Sequence, residues 1–307
     1  MREAGALACA KINFTLDILD RRPDGYHEIR SVMQTISLAD TLHIRLGTGT
    51  RGIKLNVGGE HADDIPVDES NLVIRAARAV LAEAGVDEDA VNVEIDLTKS
   101  IPAQAGLGGG SSDAATAIAV TNRFFDLGLP FDTLHRIAST IGSDVAFFLT
   151  GDTCLVEGIG EKVTLLDSRL CTAAERKHIV ICKPNVNVPT ALAYQELDKS
   201  RGDAFVGQDA TSAWLSAFKA GRDLPLSNDF EPVILRHYPE IARVHALMAE
   251  AGADFGHQRP LLCGSGAAVL AVVDTDDDAQ AMADAITRHR AGWVTTATTC
   301  AGNLDLA

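Results

Sequence analysis

The first third of the chain alternates between apolar and polar residues, a period typical of β-strands. From Ala10 to Ile18 every second residue is apolar, so we expect one buried face and one face turned to solvent. Lys11 and Asn13 lie side by side on the polar face, where a lysine is ordinarily just solvated. Further strands are predicted at residues 33–38, 42–46, 53–57, 91–97 and 154–160.

Apolar residues spaced three and four apart predict helices among and after these strands. These helices span residues 68–85, 114–128, 132–142, 239–251 and 276–290, and a short one begins at Thr190 and contains Tyr194. Later strands are predicted at residues 179–182, at 293–299 and on both sides of a small glycine turn within 261–273, and a loop at 202–209.

The length of the chain predicts two domains. At 307 residues it exceeds the size at which one hydrophobic core keeps growing, and its 46% hydrophobic content can fill two cores. Residues 166–176 are weakly patterned and separate two sets of elements. We therefore place the domains at residues 1–165 and 166–307.

Charge and cysteine content narrow the classes of function. The net charge of −15 disfavours nucleic acid and anionic membranes as partners. Six scattered cysteines without a CxxC pair favour free thiols in a reducing compartment over a zinc site or a disulfide framework. The apolar run at residues 261–273 has the length of buried core, which is too short for a membrane span. We expect a cytoplasmic protein.

A glycine-rich stretch between a predicted strand and a predicted helix is the clearest motif. Four of the five residues at 106–110 are glycine, and Ser111, Ser112 and Asp113 follow as expected helix caps. Backbone N–H groups and the positive end of a helix dipole would then face one anion. No lysine closes the loop as in a Walker motif, and the G-x-G-x-x-G dinucleotide pattern is absent. We favour a phosphate site over a flexible surface turn.

Asp144 and the pair Tyr26 and His27 remain open on local sequence. Asp144 stands between a helix end at Gly142 and an apolar run, where it could cap a short helix or act as a general base. Tyr26 and His27 follow a Pro–Asp–Gly turn and could contact a planar ring, although an exposed tyrosine at a turn more often only packs.

Three motifs together resemble those of the GHMP small-molecule kinases: residues 10–13, 106–112 and 264–266. The resemblance implies a two-domain α+β fold, with an N-terminal domain like ribosomal protein S5 domain 2 and a ferredoxin-like C-terminal domain. ATP and Mg²⁺ would be used, with ATP and substrate meeting in the cleft between the domains. Around the third motif, Cys263 and Ala267–Ala268 depart from the expected Ser and Pro–Thr.

Residues 11–13, 23–27, 32–36 and 228–231 resemble the branch of this family that phosphorylates the 2-hydroxyl of a cytidine diphosphate-linked methylerythritol in non-mevalonate isoprenoid synthesis. The resemblance implies that Asp144 accepts the hydroxyl proton, while Lys11 keeps Asp144 ionised and places positive charge near the phosphoryl group. A kinase for another alcohol, of the homoserine or mevalonate type, and a non-catalytic nucleotide-binding relative are the alternatives.

The same resemblance assigns binding residues. The ATP residues would be Pro102, Ala103, Gln104, Ala105, Gly106, Leu107, Gly108, Gly109, Gly110, Ser111 and Ser112, with Asn71 as a weaker candidate beside the adenine. Tyr26 and His27 would line a cytosine pocket, Tyr194 would stack on the base, and Asn13 would contact the methylerythritol end. The Mg²⁺ ligands remain unassigned.

Overall fold

Two sheets with covering helices make up the chain, and the computed structural model describes residues 3–47, 51–201, 209–253, 259–302 and 304. The strands are β1 (Glu3–Arg21), β2 (His27–Leu46), β3 (Gly52–Gly59), β4 (Asn92–Lys99), β5 (Thr153–Gly158), β6 (Lys162–Leu165), β7 (His178–Lys183), β8 (Ser227–Asn228), β9 (Leu261–Leu262), β10 (Val269–Val273) and β11 (Trp293–Thr298). Except for Asp209, the predicted loop at 202–209 lies outside the described residues.

Helices follow the apolar periodicity of the sequence. They are α1 (Leu72–Glu83), α2 (Gly109–Phe125), α3 (Phe131–Ile141), α4 (Val145–Thr150), α5 (Thr190–Arg201), α6 (Ala210–Lys219), α7 (Glu231–His237), α8 (Pro239–Gly252) and α9 (Asp276–Arg288). Asn71 caps α1 and Thr275 caps α9, each by accepting a backbone N–H bond on its side chain. The predicted helices and their approximate bounds are therefore confirmed.

The first sheet has the strand order β3-β4-β2-β1-β8, with β5 paired to β2 and β6 paired to β5. Its β3–β4 and β1–β8 pairs are parallel and the others are antiparallel. The second sheet has the order β11-β7-β10-β9 and is antiparallel throughout. The short strand β8 comes from the second half of the sequence yet pairs with β1. The boundary between residues 165 and 166 thus stays a prediction.

The polar face of β1 is buried, which corrects the expectation that it faces solvent. Lys11, Asn13 and Asp17 are 4%, 1% and 0% exposed. Helix α6 covers Asp17, whose Oδ2 accepts the Thr211 backbone N–H at 2.9 Å. Burial raises the pKa of Asp17, and the negative charge of Asp229 adds to this effect. These polar residues are therefore held inside the protein.

Two further expectations need correction. The strands predicted at 33–38 and 42–46 are parts of the single strand β2, because the pairing with β1 continues between them with only a register shift. Helix α2 begins at Gly109, with Gly108 at the N-cap in a left-handed conformation (φ 73°). Ser111 and Ser112 therefore belong to the first turn of α2 and do not cap it. Glycine takes this φ without the steric cost that a Cβ brings.

Candidate active site

One cleft of about 760 Å³ gathers most of the predicted site residues from both sheets. Those lining it are Lys11, Asn13, Asn71, residues 102–111, Asp144, Tyr194 and residues 264–266. Ser112, Tyr26 and His27 are not among the described residues that line it. The cleft is concave, closed on one side by glycine-rich backbone, and large enough for a small-molecule ligand.

Lys11 and Asp144 form an ion pair in this cleft. The Lys11 Nζ lies 3.6 Å from Asp144 Oδ2 and donates a 2.8 Å hydrogen bond to Asn13 Oδ1. Asn13 is oriented in turn by donating from Nδ2 to the Ser31 hydroxyl at 2.8 Å. The polar face of β1 therefore holds a buried cation in a defined position next to a carboxylate.

The carboxylate of Asp144 is not used to cap α4. Asp144 occupies the N-cap position with right-handed helical angles, and among the described residues its side chain makes no capping hydrogen bond. All of Val145–Leu149 is buried, which fixes the helix behind it. Of the two interpretations left open by the sequence, the capping one is wrong, and the carboxylate remains available to a ligand.

Two glycine turns meet backbone to backbone at the floor of the cleft. We name them the first glycine turn (Gly106–Gly110) and the second glycine turn (Gly264–Gly266). A Cβ on Gly106, whose φ is 78°, would overlap the carbonyl oxygen of Cys263. The Ala267 N–H donates to Gln104 O and the Ala268 N–H donates to Ala105 O, both at 3.1 Å. The departures from the family motif therefore lie in buried positions that act through their backbone.

The first glycine turn also lies directly on β1. The Lys11 backbone N–H donates to Leu107 O at 3.0 Å, and the β1–β2 register shifts between Cys9 and Lys11. A Cβ on Gly108 would lie 2.7 Å from the Phe148 ring and 3.1 Å from Lys11 Cγ. Only glycine permits this approach without displacing the catalytic lysine candidate.

The N-terminus of α2 opens toward the cleft. A Cβ on Gly110 would meet no described atom within 4 Å, so there is space next to the first helical amides. These amides and the helix dipole attract an anion. Ser111 lines the cleft, whereas the buried Ser112 hydroxyl donates to Cys9 O at 2.6 Å. The predicted role of Ser112 toward ATP is therefore limited to its backbone in this conformation.

A buried group of three ionisable side chains beneath the first glycine turn was missed by sequence reasoning. Lys99 Nζ pairs with Asp40 Oδ2 and lies 2.6 Å from Asp113 Oδ2, and Asp40 Oδ1 accepts the N–H groups of Ser100 and Ile101. Burial raises the pKa of Asp113 to about 8, opposed by the Lys99 ammonium and reinforced by Asp40. The proximity of Lys99 and Asp113 to the glycine motif was a usable signal, but nothing local pointed to Asp40.

His27, Tyr194 and Asp198 form a second cluster beside the cleft. The His27 and Tyr194 rings stack with centroids 4.7 Å apart, and His27 Nε2 lies 2.7 Å from Asp198 Oδ1. No room remains for a base between these two rings, because stacked rings already touch at this distance. Burial raises the pKa of Tyr194 to about 12, with smaller contributions from Asp144 and Asp198. Tyr26 is 61% exposed beside this cluster.

Asn71 serves the protein structure at the edge of the cleft. Its Oδ1 accepts the Val73 N–H at 2.9 Å and its Nδ2 donates to Pro66 O at 2.6 Å. Both ends of the amide are thus engaged in holding the start of α1, although the residue lines the cleft. A contact between Asn71 and adenine stays a prediction.

The described ranges show neither a cluster of metal-binding side chains nor a membrane-spanning helix. They contain no group of three or more His, Cys, Asp and Glu side chains suited to a metal ion. In the same ranges no helix has the length and apolarity needed to cross a membrane. All six cysteines are free thiols, as expected from their spacing.

Family models and named relatives match most of the chain. The GHMP kinases N-terminal domain model matches residues 71–152 and the GHMP kinases C-terminal model matches residues 214–291. The chain is 38% identical over 289 residues to 4-diphosphocytidyl-2-C-methyl-D-erythritol kinase of Geobacter metallireducens, covering 94% of this chain and 95% of the relative. It is 40% identical over 281 residues to the protein of the same name from Geobacter sulfurreducens, covering 91% and 93%.

A solved structure of a kinase of the same name is similar to this chain in three dimensions. A crystal structure of 4-(cytidine 5'-diphospho)-2C-methyl-D-erythritol kinase matches with a TM-score of 0.77 and 30% identity, covering 97% of this chain and 100% of that one. With these similarities over nearly its whole length, the chain belongs to the GHMP kinase family.

Proposed function

We propose that the chain transfers the γ-phosphoryl group of ATP to the 2-hydroxyl of 4-diphosphocytidyl-2-C-methyl-D-erythritol. The observation that carries the proposal is the Lys11–Asp144 ion pair, 3.6 Å long, in a cleft bounded by two glycine turns. The cytidylated substrate is the one named for relatives 38% and 40% identical to this chain. The reaction would supply an early step of non-mevalonate isoprenoid synthesis in the cytoplasm.

Asp144 accepts the proton of the substrate hydroxyl as its oxygen bonds to the γ-phosphorus and the bond to ADP breaks. Its side chain is 26% exposed, which lets an alcohol reach it from the cleft. Lys11 keeps the carboxylate ionised and brings positive charge close to the transferred group. A positioned base of this kind typically contributes a factor of about 10² to 10⁴ to the rate.

The first glycine turn and the N-terminus of α2 hold the phosphates of ATP. Phosphoryl transfer requires mainly positioning and charge neutralisation, which backbone amides provide without reorganising. The Lys99 ammonium lies beneath the turn, 3.4 Å from where a Cβ on Gly109 would lie. Asp40 and Asp113 fix that ammonium between the end of β4 and the start of α2.

The residues present fit a single Mg²⁺ bound mainly through nucleotide phosphates. Asp113 Oδ1 is buried, and within the described part of the chain it has no hydrogen-bond partner. Both Asp113 and Ser111 line the cleft. Their oxygens are the hard ligands that Mg²⁺ prefers, and one or two protein ligands are usual for this ion. When bound, Mg²⁺ supplies positive charge that offsets the negative charge of the phosphates.

The substrate side of the site is assigned to Asn13, Tyr26, His27 and Tyr194. Asn13 lies next to Lys11 and would contact the methylerythritol end. His27 and Tyr194 stack on each other and Tyr194 lines the cleft, so cytosine would contact this pair from the cleft, with the exposed Tyr26 next to His27 in the chain. The acidic net charge of −15 agrees with a small-molecule partner rather than nucleic acid.

The test is a product assay with the purified protein, ATP, Mg²⁺ and the cytidylated methylerythritol. We expect ADP and one new phosphomonoester in equal amounts by ³¹P nuclear magnetic resonance, with competitive inhibition by CDP. Absence of CDP inhibition together with turnover of homoserine or mevalonate would instead support another alcohol kinase. No ADP release with any of these alcohols would support a non-catalytic relative.

A further inference from the structure

Residues 228–231, Asn–Asp–Phe–Glu, carry no role in the reaction described so far, although the sequence motif is distinctive. They lie where β8 pairs with β1, at Thr15 with Ser227 and Leu16 with Asn228. The segment is thus attached to the strand that carries Lys11 and Asn13.

Asn228 connects this attachment to the second glycine turn. Its Nδ2 donates to Leu262 O at 2.8 Å and to Gly264 O at 2.7 Å, and its Oδ1 accepts the Phe230 N–H at 2.9 Å. The side chain is 3% exposed. The amide therefore holds one carbonyl group in β9 and one in the second glycine turn, and a buried carbonyl that loses such a partner is costly.

Glu231 supports the same strand from the other side. Its Oε2 accepts the Leu262 N–H at 2.8 Å, and its Oε1 accepts from Arg259 Nη2 at 2.6 Å. Leu262 is thereby bonded to the segment through both its N–H and its carbonyl oxygen. The start of the second glycine turn has little freedom to move relative to β1.

The second glycine turn in turn contacts the reacting groups. A Cβ on Gly264 would lie 3.0 Å from Gly106 O and 3.4 Å from Lys11 Nζ. Movement of this turn by a fraction of an ångström would change the packing of both the first glycine turn and the lysine. Errors of about 1 Å in position can cost a factor of about 10² in rate.

We propose that Asn228 is a positioning residue that holds the second glycine turn against Gly106 and Lys11, and so completes the ATP side of the cleft. This inference rests on the proposed kinase function, but it concerns a residue that touches neither ATP nor the reacting hydroxyl.

The test compares Asn228→Ala and Asn228→Asp with the control Asp229→Asn. The control alters the same segment at a side chain that accepts the Ile18 N–H at 2.7 Å and pairs with Arg201, away from the turn. Dissociation constants for ATP with Mg²⁺ and for CDP are measured by isothermal titration calorimetry, and kcat by ADP release, below the melting temperature of each variant.

We expect both Asn228 variants to raise the ATP dissociation constant about tenfold or more and to lower kcat, with CDP affinity within about twofold of wild type. The aspartate has the shape of asparagine but presents a carboxylate to the two carbonyl oxygens. It therefore removes both hydrogen bonds without leaving a cavity, and it tests the proposal if the alanine variant does not fold. Asp229→Asn should leave ATP affinity within about twofold.

The proposal is overturned if folded Asn228 variants bind ATP like wild type, or if Asp229→Asn weakens ATP binding equally. Failure of the kinase assay with wild-type protein would reject the proposed function instead. The comparison of ATP affinities would still decide the role of Asn228 in that case.

Discussion

The ammonium of Lys11 lies 3.6 Å from Asp144 Oδ2 but makes its shorter contact, 2.8 Å, with Asn13 Oδ1. The lysine side chain is 5% exposed and the aspartate side chain 26%. The cation is therefore fixed from the β1 side, while the carboxylate can be reached from the cleft. This asymmetry fits a stationary charge beside a base that exchanges a proton with a bound alcohol.

Asp144→Asn should abolish most turnover while leaving nucleotide binding intact. The amide cannot accept the hydroxyl proton, so we expect kcat to fall by a factor of about 10² to 10⁴. The ATP dissociation constant should stay within about twofold, since the first glycine turn is untouched. Steady-state kinetics and calorimetry measure the two effects. The adjacent Ser143→Ala is the matched control, and wild-type turnover in Asp144→Asn would disprove the role of the carboxylate.

Gly106→Ala and Gly110→Ala should differ sharply in stability. The Gly106 Cβ would overlap Cys263 O at a φ of 78°, so we expect a loss of about 2 kcal/mol or more in the free energy of unfolding. Gly110 lies in the first turn of α2 with open space around it, so alanine should change stability by about 1 kcal/mol or less. Urea-induced unfolding followed by circular dichroism gives both values. Equal losses would show that the glycine turns do not need their close approach.

Tyr194→Ala should weaken CDP binding about tenfold, because a base–aromatic stack is worth about 1 to 3 kcal/mol. Tyr194→Phe keeps the ring that stacks on His27 and should bind CDP within about threefold of wild type. Calorimetric titration with CDP measures both variants. Unchanged affinity in Tyr194→Ala would place the cytosine site elsewhere.

Asp17→Asn should gain stability relative to wild type as the pH rises. Burial raises the pKa of Asp17, so the folded state keeps its proton to higher pH than the unfolded chain. The contribution of Asp17 to the free energy of unfolding of the wild type is full below the ordinary carboxyl pKa. It is lost as the pH rises from there through the raised pKa of the folded state. Asparagine keeps the acceptor for the Thr211 N–H and does not ionise.

Urea unfolding over a series of pH values measures the difference in free energy between Asp17→Asn and wild type. The exposed Asp20, on the same strand, provides the control Asp20→Asn, for which we expect a small difference at every pH. A difference for Asp17→Asn that does not grow with pH would contradict the assigned cause.

The secondary structure and the glycine-rich loop could be predicted because their signals are local. The period of two in β1 and the caps of α1 and α9 act between residues that are neighbours in the sequence. The α+β two-domain fold followed from the family resemblance and is confirmed by family models matching residues 71–152 and 214–291.

The burial of Lys11 and Asn13 could not be predicted from the same pattern. Alternation shows that two faces differ but not which later segments cover them: the first glycine turn lies against Lys11, and α6 covers Asp17 through Thr211. Asp40 was missed for a related reason, since only the pairing of β2 with β4 brings it to Lys99.

The sequence by itself determined the strands, the helices and the glycine turns, because steric limits and hydrophobic periodicity act over a few residues. Lys11 was expected beside Asp144 only from the family resemblance. Tertiary structure alone decided that Gly106 meets the carbonyl of Cys263 and that Asn228 reaches Gly264. These contacts join segments far apart in the chain. They exist only because folding brings these distant segments into contact.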